Sequence, residues 1–234
     1  SKSSPIQVGA LTTWLNIASG HSHTVATHTN GTLWAWGHNY WGSLGDGTTT
    51  SRSSPVQIGA LTTWLNLAGG YAMTTATKTD GTLWAWGKND YGQIGQGTAG
   101  SPDRYNSPVQ VGALTTWTNV ANGQSHALAT KTDGTLWAWG RNNVGQLGDG
   151  TTVDKSSPIQ VGALTTWTNV ASGSYHVFAA KTDGTLWTWG KNDFGQLGDG
   201  TTVDKSSPIQ VGALNTWLKG GGGVESSAAT VELP

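Results

Sequence analysis

One segment occurs five times along the chain, and this repetition limits what the chain can fold into. The segment reads SPIQVGALTTW at Ser4 and returns with few changes at Ser54, Ser107, Ser157 and Ser207, at spacings of 50, 53, 50 and 50 residues. Repeats of about 20 to 50 residues are typical of solenoids and propellers, in which each unit buries its apolar faces against its neighbours. The three extra residues fall between Gly97 and Pro108, which predicts a surface loop there.

Each unit predicts four short β-strands and no helix. In the third unit the strands are PVQVG, WTNVAN, HALATKT and TLWAWG, and no apolar stripe of period 3.6 reaches helical length. The last two strands flank Asp133-Gly134, which predicts a two-residue type I′ turn with positive φ at both residues. Four antiparallel strands every ~50 residues predict a β-propeller blade, and a solenoid of four-stranded units is the weaker alternative.

A longer motif surrounds this turn in four units. The pattern GxxHxxAxxxDGxLWxWGxNxxGQLGxG, which runs from Gly123 to Gly150 in the third unit, resembles the regulator of chromosome condensation repeat. The resemblance covers Ser4 to Trp217 and implies a β-propeller, which in that family usually has seven blades. The second unit departs from this motif at two positions: Met73 replaces the histidine and Gln96 replaces the aspartate.

The fold class is therefore all-β, a propeller of four-stranded antiparallel blades in one repeat domain, 1–234. Four full repeats span about 4–53, 54–106, 107–156 and 157–206, and a half repeat at 207–234 lacks the hairpin turn and the Trp-rich strand. We expect an arc of a longer protein, a ring completed by other copies, or a small propeller closed by its terminal half units. Open strand edges invite pairing, which favours the first two.

Composition excludes several classes of function. The chain has 12 basic and 13 acidic residues and no basic run, so we expect no nucleic-acid or anionic-membrane partner. No apolar run approaches the ~20 residues of a membrane helix, so we expect no membrane insertion. Cysteine is absent and only 11% of residues are charged, a composition that favours an extracellular or cell- or virion-surface protein.

Catalysis, cofactors and metals have little support in the sequence. His23, His126 and His176 stand in different units, so we expect buried imidazoles that hydrogen-bond backbone between blades and not one metal site. A single Asp in each GDGTT loop supplies too few oxygens for calcium. No nucleophile elbow or carboxylate pair is present, so we expect a protein that is not an enzyme and needs no cofactor.

Tryptophan occurs in pairs two residues apart, so both rings of a pair project from one sheet face. The pairs are Trp34/Trp36, Trp84/Trp86, Trp137/Trp139 and Trp187/Trp189. They are either stacking platforms for sugars or bases or the packing between blades, and their presence in every unit favours packing. Trp41 occurs once, at a position that varies between units, and is a better candidate for an exposed contact.

The informative positions differ between units while the residues around them match. They are the tip before the motif glycine, the loop after GDG, and the two residues before the motif histidine. A constant framework with variable aromatic and polar tips is typical of a recognition scaffold. The candidate binding residues are Tyr40, Trp41, Tyr71, Asp90, Tyr91, Arg104, Tyr105, Asn143, Tyr175 and Phe194.

The sequence thus predicts a non-enzymatic protein-interaction or structural scaffold whose loop tips meet a protein or surface partner, or a second copy of the chain. The resemblance implies one alternative, guanine-nucleotide exchange on a small GTPase, for which Gly97 to Asn106 is the only longer loop. Another alternative is an extracellular carbohydrate-binding or adhesive module, in which the aromatic tips would stack on a glycan.

Overall fold

The computed structural model describes residues 7–8, 13–100, 103–222 and 227–231, and the predicted repeat start at Ser4 lies outside these residues. The strands are β1 (Trp14–Ser19), β2 (His23–His28), β3 (Leu33–Gly37), β4 (Arg52–Gln57), β5 (Trp64–Gly69), β6 (Met73–Lys78), β7 (Leu83–Lys88), β8 (Arg104–Gln110), β9 (Trp117–Asn122), β10 (His126–Lys131), β11 (Leu136–Gly140), β12 (Lys155–Gln160), β13 (Trp167–Ser172), β14 (His176–Lys181), β15 (Leu186–Gly190), β16 (Lys205–Gln210), β17 (Trp217–Gly222) and β18 (Ser227–Val231).

These strands form four antiparallel four-stranded sheets, which we call blade 1 (β1–β4), blade 2 (β5–β8), blade 3 (β9–β12) and blade 4 (β13–β16). Strands β17 and β18 form a two-stranded sheet that packs on blade 4. The all-β prediction is confirmed, since the described part of the chain has no helix and so none that could cross a membrane.

Each blade takes its outer strand from the next sequence unit. Strand β12, which contains the SPIQ segment of the fourth unit, pairs with β11 of the third. The first strands of the blades lie next to one another, β1 beside β5, β5 beside β9 and β9 beside β13. Sequence unit and blade are therefore offset by one strand, so the second, third and fourth units each contribute to two neighbouring sheets.

The Asp-Gly hairpin is not the type I′ turn that the sequence predicts. Lys131 donates its backbone N–H to Thr135 and Gly134 donates to Lys131, which defines a three-residue loop. Gly134 has a φ of 75°, whereas no described non-glycine residue has a positive φ. The Oδ1 atom of Asp133 accepts hydrogen bonds from the N–H and the hydroxyl of Thr135 at 3.0 and 2.6 Å. These two local bonds hold Asp133 at a negative φ. A Cβ at Gly134 would also meet the carbonyl of Thr165, in the loop that leads to the next blade.

The tryptophan pairs of blades 2, 3 and 4 pack between blades, as predicted, whereas Trp34 and Trp36 of blade 1 are half-buried and no described blade precedes theirs. Trp139 is fully buried, and its indole N–H donates to the carbonyl of Gln93 in the preceding blade at 3.0 Å. Trp86 and Trp189 make the same bond to the preceding blade. Trp117, from the first strand of blade 3, meets both rings of that blade's pair edge-on, at centroid distances of 6.0 and 6.4 Å. A tryptophan trio therefore fills each blade interface.

The motif histidines are buried as predicted, although hydroxyls and not backbone groups are the partners that two of them contact. His23 Nε2 lies 2.9 Å from the Thr74 hydroxyl of the next blade, and His126 Nε2 lies 3.0 Å from the Ser172 hydroxyl. Burial, with His38 nearby, lowers the pKa of His23 to about 4. Burial, with His176 nearby, lowers the pKa of His126 to about 3. Both imidazoles are therefore neutral at physiological pH.

The GDGTT loops are organised by one asparagine. Asn142 Nδ2 donates to Asp149 Oδ1 at 3.1 Å and to the carbonyls of Thr151 and Val153 at 3.1 and 3.2 Å. Asp149 also accepts the backbone N–H of Thr151 and forms an ion pair with Lys155 at 3.3 Å. The aspartate oxygens thus bind donors of their own loop, so the loop has a structural explanation.

The Gln96 departure has a counterpart in the same blade. Tyr105 faces Gly87 in β7 just as Lys155 faces Gly140 in β11, so tyrosine replaces the cation that pairs with the loop aspartate elsewhere. Gln96 instead donates to the Gln110 carbonyl at 2.8 Å. In blade 2, Gln96 thus replaces the loop aspartate and Tyr105 replaces its basic partner, so neither position has a charge that would need a partner.

Candidate functional site

The two ends of the blades differ in sequence. In blade 1, the turn between β1 and β2 and the loop between β3 and β4 lie at one end, because His23 pairs with Gly37 and Gly37 with Arg52. All three variable sets lie at this end, which we call the variable face. It comprises turns 20–22, 70–72, 123–125 and 173–175 and segments 38–52, 88–100, 103–104, 141–155 and 191–205.

The opposite end carries the elements that the units share. These are the three-residue hairpins and the GALTTW-type loops between blades, with one exposed leucine in each of the loops that the structure describes fully: Leu61, Leu114, Leu164 and Leu214. Among the turns and loops, sequence variation between the units is thus concentrated on one face of the molecule.

A cavity of about 450 Å³ opens on the variable face among the four turns. Successive turns are joined by backbone hydrogen bonds, from Tyr71 N–H to the Gln124 carbonyl at 3.3 Å and from Gln124 N–H to the Ser174 carbonyl at 2.9 Å. The rings of His21 and Tyr71 stack at 4.7 Å on its wall. The cavity is therefore a fixed depression with a glycine-rich wall and a variable rim.

A basic residue of one blade lies over the aromatic tip of the blade before it. Lys88 Nζ lies 4.4 Å from the centroid of Trp41, and Arg141 Cζ lies 4.8 Å from that of Tyr91. Such cation–π contacts hold both side chains in place. Sequence reasoning missed these basic residues, although the position after the motif WG is basic or His in every unit.

Arg104, the first residue of β8, connects blade 2 to blade 1. Arg104 donates to the carbonyl of Tyr40 at 3.0 Å, and its guanidinium lies 5.6 Å from the rings of both Tyr40 and Trp41. Tyr40 and Trp41 meet edge-on at 5.0 Å. The structure therefore brings together three of the predicted site residues. Tyr40 remains 57% exposed, whereas Trp41, which the sequence predicts as an exposed contact, is half-buried under its cationic neighbours.

The other predicted residues spread around the same face, with one exception. Tyr71 and Phe194 are exposed, Asp90 forms an ion pair with Lys88, and Tyr175 lines the cavity. Tyr105 is not the exposed contact that the sequence predicts. It lies in β8 and packs half-buried against the apolar cores on both sides of blade 2, because its register directs it inward.

The positive and negative charges of the variable face nearly cancel, because most of its lysines and arginines form ion pairs with aspartates. Burial alone would raise the pKa of Asp199, but hydrogen bonds from Thr201 and Asn192, with Lys205, lower it to about 2. No cluster of three His, Asp or Glu that could hold a metal occurs among the described residues.

Repeated antiparallel blades with a variable and a constant face define a β-propeller-type repeat protein. The family model of the regulator of chromosome condensation (RCC1) repeat matches residues 30–77, 80–130, 133–180 and 183–229. A second model of the same repeat matches 66–93, 117–146 and 167–196. The chain belongs to this family.

Solved structures show the same fold. Prp20p from Saccharomyces cerevisiae is 22% identical, with a TM-score of 0.87 over 98% of this chain and 59% of that one. Human WBSCR16 is 22% identical, with a TM-score of 0.84 over 94% of this chain and 58% of that one. Yeast RCC1 (Prp20) bound to Kap60 is 24% identical, with a TM-score of 0.78 over 94% and 54%. The chain thus spans less than three fifths of the length of these structures.

Proposed function

We propose that the chain is a non-enzymatic protein-interaction module that presents its variable face to a protein partner. The observation that carries this proposal is the asymmetry between the two ends of the blades. Near-identical units keep the opposite face constant and differ in the turns and loops of the variable face. Loops on a rigid scaffold are the usual place for recognition residues.

The chemistry of the face supports a protein partner. Tyrosine, tryptophan and arginine are the residues that most often carry binding energy in protein interfaces. Here Tyr40, Trp41 and Arg104 form one cluster, and Tyr91 and Arg141 form a second. Contacts between these side chains already fix them, so less conformational entropy is lost on binding.

The relatives support the same class of function. The Prp20p structure is reported with its binding to Gsp1p and histones, and a further structure has yeast RCC1 bound to Kap60. These partners belong to those proteins, and for this chain we infer only that a propeller of this family suits protein recognition. The low charge content of the chain supports our further proposal of an extracellular or surface location.

The two alternative functions are less well supported by the geometry. Nucleotide exchange would need a loop that projects into a partner, whereas Arg104 in the inserted segment binds back onto Tyr40. Glycan stacking would need open ring faces, and Lys88 covers one face of Trp41. Faster nucleotide release from small GTPases, or glycan binding that Trp41→Ala abolishes, would favour these alternatives instead.

Two matched variants test the proposal. The first carries Tyr40→Ser, Trp41→Ser and Phe194→Ser on the variable face, and the second carries Leu61→Ser, Leu114→Ser and Leu164→Ser on the opposite face. Crosslinking in extracts of the source cells, with quantitative mass spectrometry, should show partners lost only from the first variant. Thermal unfolding checks that both remain folded. Partners lost only from the second variant would place the interface on the wrong face and refute the proposal.

A further inference from the structure

Arg141 is the one lysine or arginine of the described variable face without a carboxylate partner. Each of the other cations forms an ion pair, namely Arg52, Lys88, Arg104, Lys155, Lys191 and Lys205. The guanidinium of Arg141 instead meets only aromatic rings, those of Tyr91 at 4.8 Å and Tyr175 at 5.7 Å. Its charge is therefore not neutralised within the described part of the chain.

Arg141 lacks a carboxylate partner among the described residues because one residue of blade 3 differs from its counterparts in blades 2 and 4. In blades 2 and 4 the cation after the motif glycine pairs with an aspartate two residues later, at 2.6 Å for Lys88–Asp90 and 3.2 Å for Lys191–Asp193. The corresponding residue of blade 3 is Asn143, which is exposed and accepts a hydrogen bond from Gln146 at 3.3 Å. The position next to Arg141 thus has the geometry for a carboxylate but does not contain one.

The surroundings make Arg141 accessible and ordered. Its backbone N–H donates to the Ser125 carbonyl at 2.9 Å, which ties it to a turn at the cavity. Tyr91 comes from blade 2 and Tyr175 from blade 4, so the guanidinium lies among three consecutive blades. Tyr175 lines the cavity, which places Arg141 close to the cavity rim. A planar guanidinium held by rings keeps its N–H fork free for a carboxylate.

We propose that Arg141 anchors a glutamate or aspartate carboxylate of an acidic peptide segment in the partner, next to the cavity on the variable face. The partner's carboxylate takes the place that Asp90 and Asp193 occupy in the neighbouring blades. The proposal rests on the protein-binding function proposed above and adds the chemistry of the partner. Because the site is half-exposed, binding weakens as salt screens the charges.

The test uses the whole chain and two probes, acetylated and amidated triglutamate and triglutamine peptides. NMR titration follows the side-chain Nε–H of Arg141 and the backbone N–H of Tyr175. Triglutamate should shift both signals, and the uncharged peptide should shift neither. Asn143→Asp supplies the missing carboxylate within the chain, so binding should weaken about fivefold, the upper range for a half-exposed charge pair. Arg141→Met should weaken it to the same extent.

The reciprocal variant is Asp193→Asn, which gives blade 4 the arrangement of blade 3. It should add a second triglutamate response at Lys191 and leave the response at Arg141 intact. Equal shifts with both peptides, or unchanged affinity in Asn143→Asp, would overturn the proposal. If the peptide fails to bind while crosslinking still depends on the variable face, only this inference is wrong. If the peptide binds but crosslinking does not depend on that face, the proposed function is wrong instead.

Discussion

Replacing His126 by methionine should remove about 2 kcal/mol of the acid sensitivity of the fold. His126 is fully buried, and burial, with His176 nearby, lowers its pKa from 6.5 to about 3. Methionine is a suitable replacement because Met73 fills the same position in blade 2 and is also fully buried. The substitution therefore removes a titrating group and keeps an apolar contact between blades.

The sign and size of the change in the free energy of unfolding follow from proton binding by His126. Below a pH of 6.5 the unfolded chain protonates this histidine, whereas the native state leaves it neutral until the pH approaches about 3. The free energy of unfolding thus falls as the pH falls through that window, by about 1.4 kcal/mol per pH unit. Between about pH 7 and about pH 5, His126 alone should cost the wild type about 2 kcal/mol.

Urea denaturation followed by tryptophan fluorescence measures this loss. We expect His126→Met to lose about 2 kcal/mol less than the wild type on going from about pH 7 to about pH 5. The reciprocal variant Met73→His adds a buried imidazole and should make the loss larger. An equal loss in His126→Met and wild type would refute the reasoning, since it would show that the buried imidazole accepts a proton without destabilising the fold.

Three further substitutions test other parts of the structure. Trp139→Phe keeps a ring but removes the indole N–H bond to the preceding blade, and should lower the free energy of unfolding by about 1 to 3 kcal/mol in a urea titration. At Gly134 a new Cβ would combine a positive φ with a clash against the Thr165 carbonyl, whereas at Gly162 the φ is also positive but the space is open. Gly134→Ala should therefore lower the melting temperature more than Gly162→Ala. Equal effects would show that the clash has no influence. Asp199 keeps its stabilising charge above about pH 4 and loses it as the pH falls toward about 2, so Asp199→Asn should flatten the pH dependence of unfolding in that window.

The strands were predictable because their pattern recurs along the chain, whereas the type of the hairpin turn was predicted wrongly although the sequence contained a signal for it. Asp-Gly suits several turns, and the residue that follows decides between them. In Asp133-Gly134-Thr135 the threonine gives the aspartate two donors, which favours a three-residue loop with glycine alone at positive φ. The threonine is present in every unit, so this signal was readable, whereas the contact with Thr165 depends on the neighbouring blade.

The offset between unit and blade could not be read from the sequence. A periodic chain can be divided at any point of its period, and local patterns fix only where strands lie. Pairing of β12 with β11 shows that the SPIQ strand completes the blade before it. Which strands share a sheet is a property of the tertiary structure. It depends on how strands pair and in which register, and the local sequence of one strand does not determine this.

The candidate site was predicted in part, because variation marks the aromatic tips but not the groups that hold them. Lys88 and Arg141 belong to a position that is basic in three units, so they looked like framework. Their cation–π partners lie in another blade and only the fold brings them together. Tyr105 looked like a tip because it lies in an insertion, whereas its strand register makes it the counterpart of Lys155.

The departures between units are of two kinds, those that a second substitution compensates and those that no described residue compensates. Gln96 and Tyr105 replace an acid and its basic partner together, so the blade keeps its charge balance and the change has a structural explanation. Asn143 replaces an acid while Arg141 stays, and the described structure supplies no other carboxylate. An uncompensated departure leaves a group whose best partner lies outside the blade. Arg141 is therefore the residue of this almost constant repeat at which recognition should be tested first.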